Sequence, residues 1–477
     1  MTPRTQDPHV AIIGGGFSGL MTAVNLARLN TRPLNITLVH SAGAAGRVVA
    51  YSTVRPEHLL NVAARNMSAL PDQPDHLLQW LRTRSDFDAV PDHELRERFI
   101  PRQVYGDYLR SLLHHHLQAA GSMTPVTTSF IAGEAVDIEN TGDSTTIHLA
   151  DGRQIPADRI VLACGNEAPA GLPGAETLQD HPAWTGNPWL PWHQRLPAQG
   201  GSIVILGTGL TTVDALITLR TLGWQGSIHA VSRHGWLPHA HFRGIEYPDF
   251  PPPDVDLATL GLEKLLALME QHCARLRELG ANPAIIVDRL RPHTQRIWEN
   301  FTPAERTTFL RQHAARWNVL RHRIAPDIHA QITSAQLTGQ LQVHAAGITR
   351  VAASGSQIAV HLQNGRQLLG DLVLNATGPH IRFSATTSPL LQNLLRRGLI
   401  SPDPMDMGIH TENVHTVLSP SGTPSPWLLA LGPLLRGTLW ESIAVPELRV
   451  QARRVAELIL GQRPADDALP VMMEYMI

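Results

Sequence analysis

The sequence predicts an α/β protein built from two strand–glycine turn–helix units, the first interrupted by the second, with a helical insertion in the second. Three observations carry this. An apolar run breaks into glycines and resumes as a helix at "VAIIGGGFSGLMTAVNLARL" (10–29), and the same grammar returns at "VILGTGLTTVDALITL" (204–219). Between about 257 and 330 the pattern turns helical. A length of 477 residues sets a prior of two or three domains. With 43% hydrophobic and 17% charged residues, the composition is that of an ordinary globular chain. A net charge of −2 gives no reason to expect a nucleic-acid or membrane partner. The two cysteines, Cys164 and Cys273, cannot form a disulfide framework. No apolar run approaches the ~20 residues of a membrane span. The start "MTPRTQDPH" does not read as a secretory leader, so a cytoplasmic location is expected.

In the first unit "HVAII" is a buried parallel strand, and Gly14, Gly16 and Gly19 stand in G-x-G-x-x-G register behind it. Gly14 allows the tight turn, Gly16 lets backbone approach a phosphate, and Gly19 lets helix pack on strand. The helix begins at Phe17 and Ser18, whose N–H groups face the pyrophosphate of a dinucleotide. The next strand, "NITLVH", ends in His40, where an acid usually binds the ribose hydroxyls. His40 either takes over that contact or merely caps the strand.

The second unit repeats the plan with "GSIVILG", then Gly207 and Gly209, then a helix from Leu210 and Thr211. Thr212 replaces the third glycine, which sets helix and strand slightly further apart. The following strand, "SIHAVSRHG", ends in Ser232 and Arg233. An arginine there suits the 2′-phosphate of NADP, against the alternative of a solvated strand-end charge. Two Rossmann-like domains imply two dinucleotides. The productive pair is FAD with NADPH (NADH being the alternative donor), since one accepts the hydride that the other gives. Two further strands, "RIVLACG" and "DLVLNATG", end in small residues and in Gly165 and Gly378, which avoids collision beneath a bound dinucleotide.

The blocks "GRVVAYSTVRPEHLLNVAARNMSALPDQPDHLLQWL", "FIPRQVYGDYL", "NPWLPW", "AVSRHGWLPHAH", "NATGP" and "LGPLLRGTLWESIAVPELRVQA" span nearly the whole chain in order. Together with the glycine loops they resemble the FAD/NAD(P)-binding oxidoreductases of the YdhS-like family, distant relatives of the flavin-dependent N-hydroxylating monooxygenases. The resemblance implies that Tyr51, Asn61 and Met67 lie near the flavin and Arg102 close to the cofactor. It also implies that the turn of Gly432, Pro433 and Gly437 precedes a helix, beginning near Leu439, whose N-terminus stabilises negative charge on the ring. Trp440 either walls the site or is ordinary core. Asn61 and Trp440 are the candidate residues of the reaction centre.

The FAD domain is expected over residues 1–195 and 345–477, with the NAD(P)H domain over 196–344. The proline-rich "YPDFPPPDVD" (247–256) is read as a stiff boundary. Behind it a helix presents Leu262, Leu265, Leu266, Met269, Cys273 and Leu276 on one face. Arg289, Arg291, Arg296, Arg316, Arg321 and Arg323 are read first as a solvated face, with attraction of an anionic substrate or cofactor phosphate as the alternative. His239 and His241 are read first as structural, with a place beside the nicotinamide or substrate as the alternative. "HHH" at 114–116 is a poor metal site, and no metal-ligand spacing stands out.

No C-x-x-C pair accompanies the loops, which excludes the disulfide reductases of similar layout. The Baeyer–Villiger signature is also absent. The reading is an FAD-dependent, NADPH-driven monooxygenase oxidising a nucleophilic heteroatom of a small molecule, nitrogen ahead of sulfur, with O2 and a C4a-hydroperoxyflavin. The alternatives are an NAD(P)H-dependent flavin dehydrogenase or reductase, and a non-enzymatic nicotinamide sensor.

Overall fold

The computed structural model describes residues 7–41, 51–118, 125–142, 144–242, 246–412 and 415–462. The opening "GRVVA" of the first family-like block lies outside them.

Two sheets carry the molecule. The first has six strands in the order Thr416–Leu418, Pro424–Ala430, Arg159–Leu162, His9–Ile13, Leu34–His40 and Val126–Ala132. All neighbours are parallel except the 416–430 hairpin. The second sheet is wholly parallel, in the order Leu341–Ala345, Ser227–Ser232, Ser202–Leu206, Leu372–Asn375 and Trp184–Thr185. Parallel strands covered on both faces need continuous apolar runs. Accordingly His9–Ile13 and Ser202–Leu206 share one burial pattern, a half-buried first residue followed by four buried ones.

The two sheets are built by one repeated plan. A strand, glycine loop, helix and second strand lead through helices to a third strand. Three antiparallel strands follow (135–157 in the first unit, 348–370 in the second), then a closing strand beside the first. Even a tether recurs. Asp158 accepts from the His9 N–H, and Asp371 accepts from the Ser202 N–H, both at 2.8 Å. Each carboxylate satisfies the first donor of its unit's opening strand.

This plan corrects the expected boundaries. The second sheet takes strands from Trp184 to Asn375, so limits at 196 and 344 cut through it. The antiparallel strands and the closing strand belong to the second repeat for the same reason as their counterparts belong to the first. The helical stretch between Ser232 and Leu341 is the second unit's crossover, enlarged. Its last helix, Pro326–Leu337, packs Ile328, Ile332 and Ala335 on the sheet core rather than on the insertion. The proline-rich segment is no bare linker either: Tyr247 and Phe250 are buried in the insertion's own core.

Candidate active site and cofactor cradles

The glycine loops superimpose residue for residue in their physics. Gly14 (φ +124°) and Gly207 (φ +130°) hold left-handed backbone, and a Cβ on either would overlap a carbonyl oxygen, Ala163 or Ala376 respectively. The small ends of "RIVLACG" and "DLVLNATG" therefore press on the first glycines. A Cβ on Gly19 would overlap the Gly14 carbonyl. At the matching place Thr212 meets the Gly207 carbonyl with its hydroxyl, donating at 2.9 Å. Gly16 and Gly209 cap the helices Phe17–Leu29 and Leu210–Thr221 without any side-chain cap, and a Cβ on either would point into open space. Open space in front of uncapped N–H groups is what a pyrophosphate fills. Gly165 (φ +77°) and Gly378 (φ +93°) have equally open surroundings. Phe17, Ser18 and Thr212 are buried, whereas Leu210 and Thr211 are half-buried. Both cradles fit a dinucleotide.

Around the first cradle, His40 ends its strand with its Cβ against Gly15, so it borders the loop. Tyr51 sits edge-on to Tyr105 (4.7 Å between ring centres), and burial pushes its hydroxyl up to about 12. Met67 is core. Arg102 is engaged elsewhere than on an open cofactor contact. Its guanidinium donates twice to Asp214 of the second-loop helix (2.6 and 3.0 Å) and once to the Leu59 carbonyl (3.0 Å). That fork ties the two units together, as does His58 Nε2 against the Thr218 hydroxyl at 2.8 Å. The Asn61 carbonyl accepts from His241 Nε2 at 2.8 Å, a third bond between units. Burial pushes the His241 imidazole down to about 4, so it is neutral at physiological pH.

At the second cradle the Ser232 hydroxyl lies 2.8 Å from that of Thr208 and accepts from the Gly235 N–H, fixing the loop. Arg233 is exposed at the strand's end, with no ion-pair partner among the described residues. Beside it His234 and Trp236 stack at 4.4 Å. A cleft of about 250 Å³ opens between this unit and the first, bounded by Thr211, Asp214 and Ala376 on one side and by His58 and Arg102 on the other.

The C-terminal block closes on the first loop. Gly432 (φ +76°) abuts the Ser18 hydroxyl, and its N–H donates to Gln451 Oε1 at 2.9 Å. Gln451 Nε2 is buried with no partner among the described residues. Pro433 opens the short turn Gly432–Leu435. A Cβ on Gly437 would overlap the Asp403 carboxylate, and its carbonyl accepts from Trp298 Nε1 at 2.8 Å. The expected helix does not begin near Leu439. Arg436–Leu439 is a single turn, and the long helix runs Val445–Ile459. Trp440 breaks the chain between them with φ +58° and ψ −72°. Such backbone costs about 1–3 kcal/mol in a non-glycine residue and persists only where packing imposes it.

That packing comes from the insertion. Trp440 stacks on Trp298 (5.0 Å, 27°) and stands edge-on to Phe309 (5.1 Å, 86°). It thereby walls a cavity of about 420 Å³, whose other sides include His239, Phe242, Met269 and Trp317. His239 and His241 are held by backbone bonds to Ile324, so the segment is structural and borders the cavity as well. Three arginines expected on a solvated face are instead buried and paired. Arg291 meets Glu447 (3.1 Å), Arg321 meets Glu441 and Glu447 (3.5 and 3.6 Å), and Arg323 is bidentate to Asp288 (2.7 and 2.9 Å). Two of these acids lie in the C-terminal block, so the pairs fasten the insertion to it. The side chains that sequence reasoning passed over are Trp298, Phe309 and Trp317. Large aromatics spaced through otherwise charged helices were their signal.

Residues 11–167 match a family model described as FAD-NAD(P)-binding. No curated protein matches the chain. Among solved structures, L-lysine 6-monooxygenase from Pseudomonas syringae is similar, with a TM-score of 0.64 at 17% identity, covering 95% of this chain and 98% of its own. Ornithine hydroxylase (PvdA) from Pseudomonas aeruginosa gives 0.62 at 14%, covering 96% and 99%. The Kutzneria sp. 744 ornithine N-hydroxylase KtzI, described with reduced FAD, NADP+ and L-ornithine, gives 0.59 at 14%, covering 95% and 99%. No helix among the described residues is long and apolar enough to cross a membrane. Residues 11–167 thus match an FAD-NAD(P)-binding family model, and 95% or more of the chain shares the fold of these solved monooxygenase and hydroxylase structures.

Proposed function

We propose that this chain is an NADPH-driven flavin monooxygenase that oxidises a nucleophilic nitrogen of a small molecule. FAD belongs in the first cradle, over residues 7–162 and the C-terminal block, and NADPH in the second, over about 184–375. When bound, FAD supplies the electron transfer between NADPH and dioxygen that side chains cannot perform. Gly14, Gly16, Ser18 and Gly19 hold its pyrophosphate, with Gly432 closing the loop. Gly207, Gly209 and Leu210 hold that of NADPH, and Arg233 offers a cation to the 2′-phosphate.

The observation that carries the reading is the aromatic cavity between segment 239–242 and Trp440. Here the chain lines a small space with tryptophan and phenylalanine, an apolar wall that suits a small molecule. Neutral His241 holds the Asn61 carbonyl at the join between the two units and adds no charge there. The neighbours described as lysine and ornithine hydroxylases support the same chemistry, in which the substrate nitrogen needs no strong base.

The test is turnover with NADPH, primary amines and isotopically labelled dioxygen, with products read by mass spectrometry. The expected result is one labelled oxygen atom in the product. NADPH oxidation that returns all the label as hydrogen peroxide, whatever amine is present, overturns it.

A further inference from the structure

The cavity's chemistry points to a substrate class. Six phenylalanine and tryptophan rings line it (Phe242, Trp298, Phe301, Phe309, Trp317 and Trp440), with the imidazoles of His239 and His313. The apolar face of helix Gly261–Glu278, with Leu262, Leu265 and Met269, supplies much of the rest. A volume of about 420 Å³ falls within the range of small-molecule pockets.

Of the three arginines along its wall two are paired and the third is exposed. Arg323 is bidentate to Asp288 and lies over the Phe242 ring at 4.3 Å. Arg277 pairs with Glu270 at 2.8 Å, and Arg316 is exposed. Glu270 is the one carboxylate lining the cavity among the described residues. A free amino acid brings a carboxylate and an ammonium that must both be matched on leaving water. This wall offers no buried unpaired cation for the carboxylate, which is the group that an amine on an apolar body lacks.

We infer that the substrate is an amine carried on a bulky apolar body, aromatic or long-chain aliphatic, and not an ornithine- or lysine-like amino acid. The inference rests on the monooxygenase reading for its reaction, but its binding arm stands apart.

The experiment titrates the FAD-loaded enzyme with phenethylamine, octylamine and L-ornithine. Binding is followed by tryptophan fluorescence and turnover by NADPH-dependent product formation. The apolar amines should saturate at a concentration at least about tenfold below that of ornithine, whose unmatched carboxylate resists burial. Met269→Gln, close to isosteric, should weaken octylamine binding about fourfold, the worth of one methylene of apolar contact, while Met269→Leu preserves it. Saturation by ornithine ahead of both apolar amines, or octylamine binding indifferent to Met269→Gln, overturns the inference. Binding of the apolar amines without incorporation of labelled oxygen upholds the cavity assignment and refutes the monooxygenase reading. Hydroxylation of ornithine without binding of the apolar amines does the reverse.

Discussion

Replacing Gly209 by alanine separates cofactor binding from folding. Gly209 has φ −84° and ψ −164°, which alanine adopts freely, and its Cβ would meet no protein atom within 4 Å. Stability should therefore move by no more than about 1 kcal/mol, the loss of a good cap set against reduced freedom in the unfolded chain. The same methyl stands in the space where backbone N–H groups meet the pyrophosphate. Displacing one hydrogen bond to a charged group costs about 1.5–3 kcal/mol. That corresponds to a roughly ten- to hundredfold weaker Kd for NADPH. FAD in the other cradle should be retained. Gly16→Ala is the mirror experiment: FAD is lost while the fold persists. Gly207→Ala is the contrast, since its Cβ overlaps the Ala376 carbonyl and its φ of +130° excludes side chains. It should destabilise the fold itself. Fluorescence titration of NADPH and denaturant unfolding of the same preparations measure both quantities. A Gly209→Ala protein that binds NADPH like the parent, or a Gly207→Ala protein of parental stability, refutes the assignment of the second loop.

Other consequences follow from the contacts between units. Asp214→Asn removes the carboxylate from the half-buried Arg102 fork and should lower stability by about 1–2 kcal/mol in denaturant titration, less than a fully buried pair loses. Trp440→Ala opens the aromatic wall, so a larger fraction of consumed NADPH should appear as hydrogen peroxide while flavin reduction by NADPH keeps its rate; a peroxide assay decides. For pH, burial holds His415 at about 4 against an unfolded value near 6.5. A depressed pKa gives stability that is complete above about 6.5 and lost as pH falls towards 4. With His415 only 3% exposed, its share is about 3 kcal/mol, and unfolding midpoints measured across that window should fall less steeply for His415→Gln.

Much of this architecture was legible because local sequence dictates it. The glycine loops, the buried strands beside them and the small-residue strand ends each need particular residues at fixed spacing, and the structure uses them as read. Thr212 shows how a departure is accommodated: its hydroxyl bonds to the carbonyl that a third glycine would leave bare. The insertion was legible as helices but not as chemistry. Nothing in the order of residues pairs Arg291 with Glu447 or Arg321 with Glu441, because those partners lie more than a hundred positions apart. The same distance hid the stacking of Trp440 on Trp298. The misplaced helix start had a local signal in Pro446, a residue favoured in a first helical turn. The boundary at 344 failed because the second unit's repeat of the antiparallel strands was not recognised.

The most direct test of the account is to reduce the FAD-loaded protein with NADPH under anaerobic conditions and mix it rapidly with dioxygen. The account predicts fast reduction, then return of the oxidised flavin spectrum delayed by seconds or longer, with little hydrogen peroxide during the delay. Immediate reoxidation with stoichiometric peroxide, unchanged by the apolar amines, contradicts it.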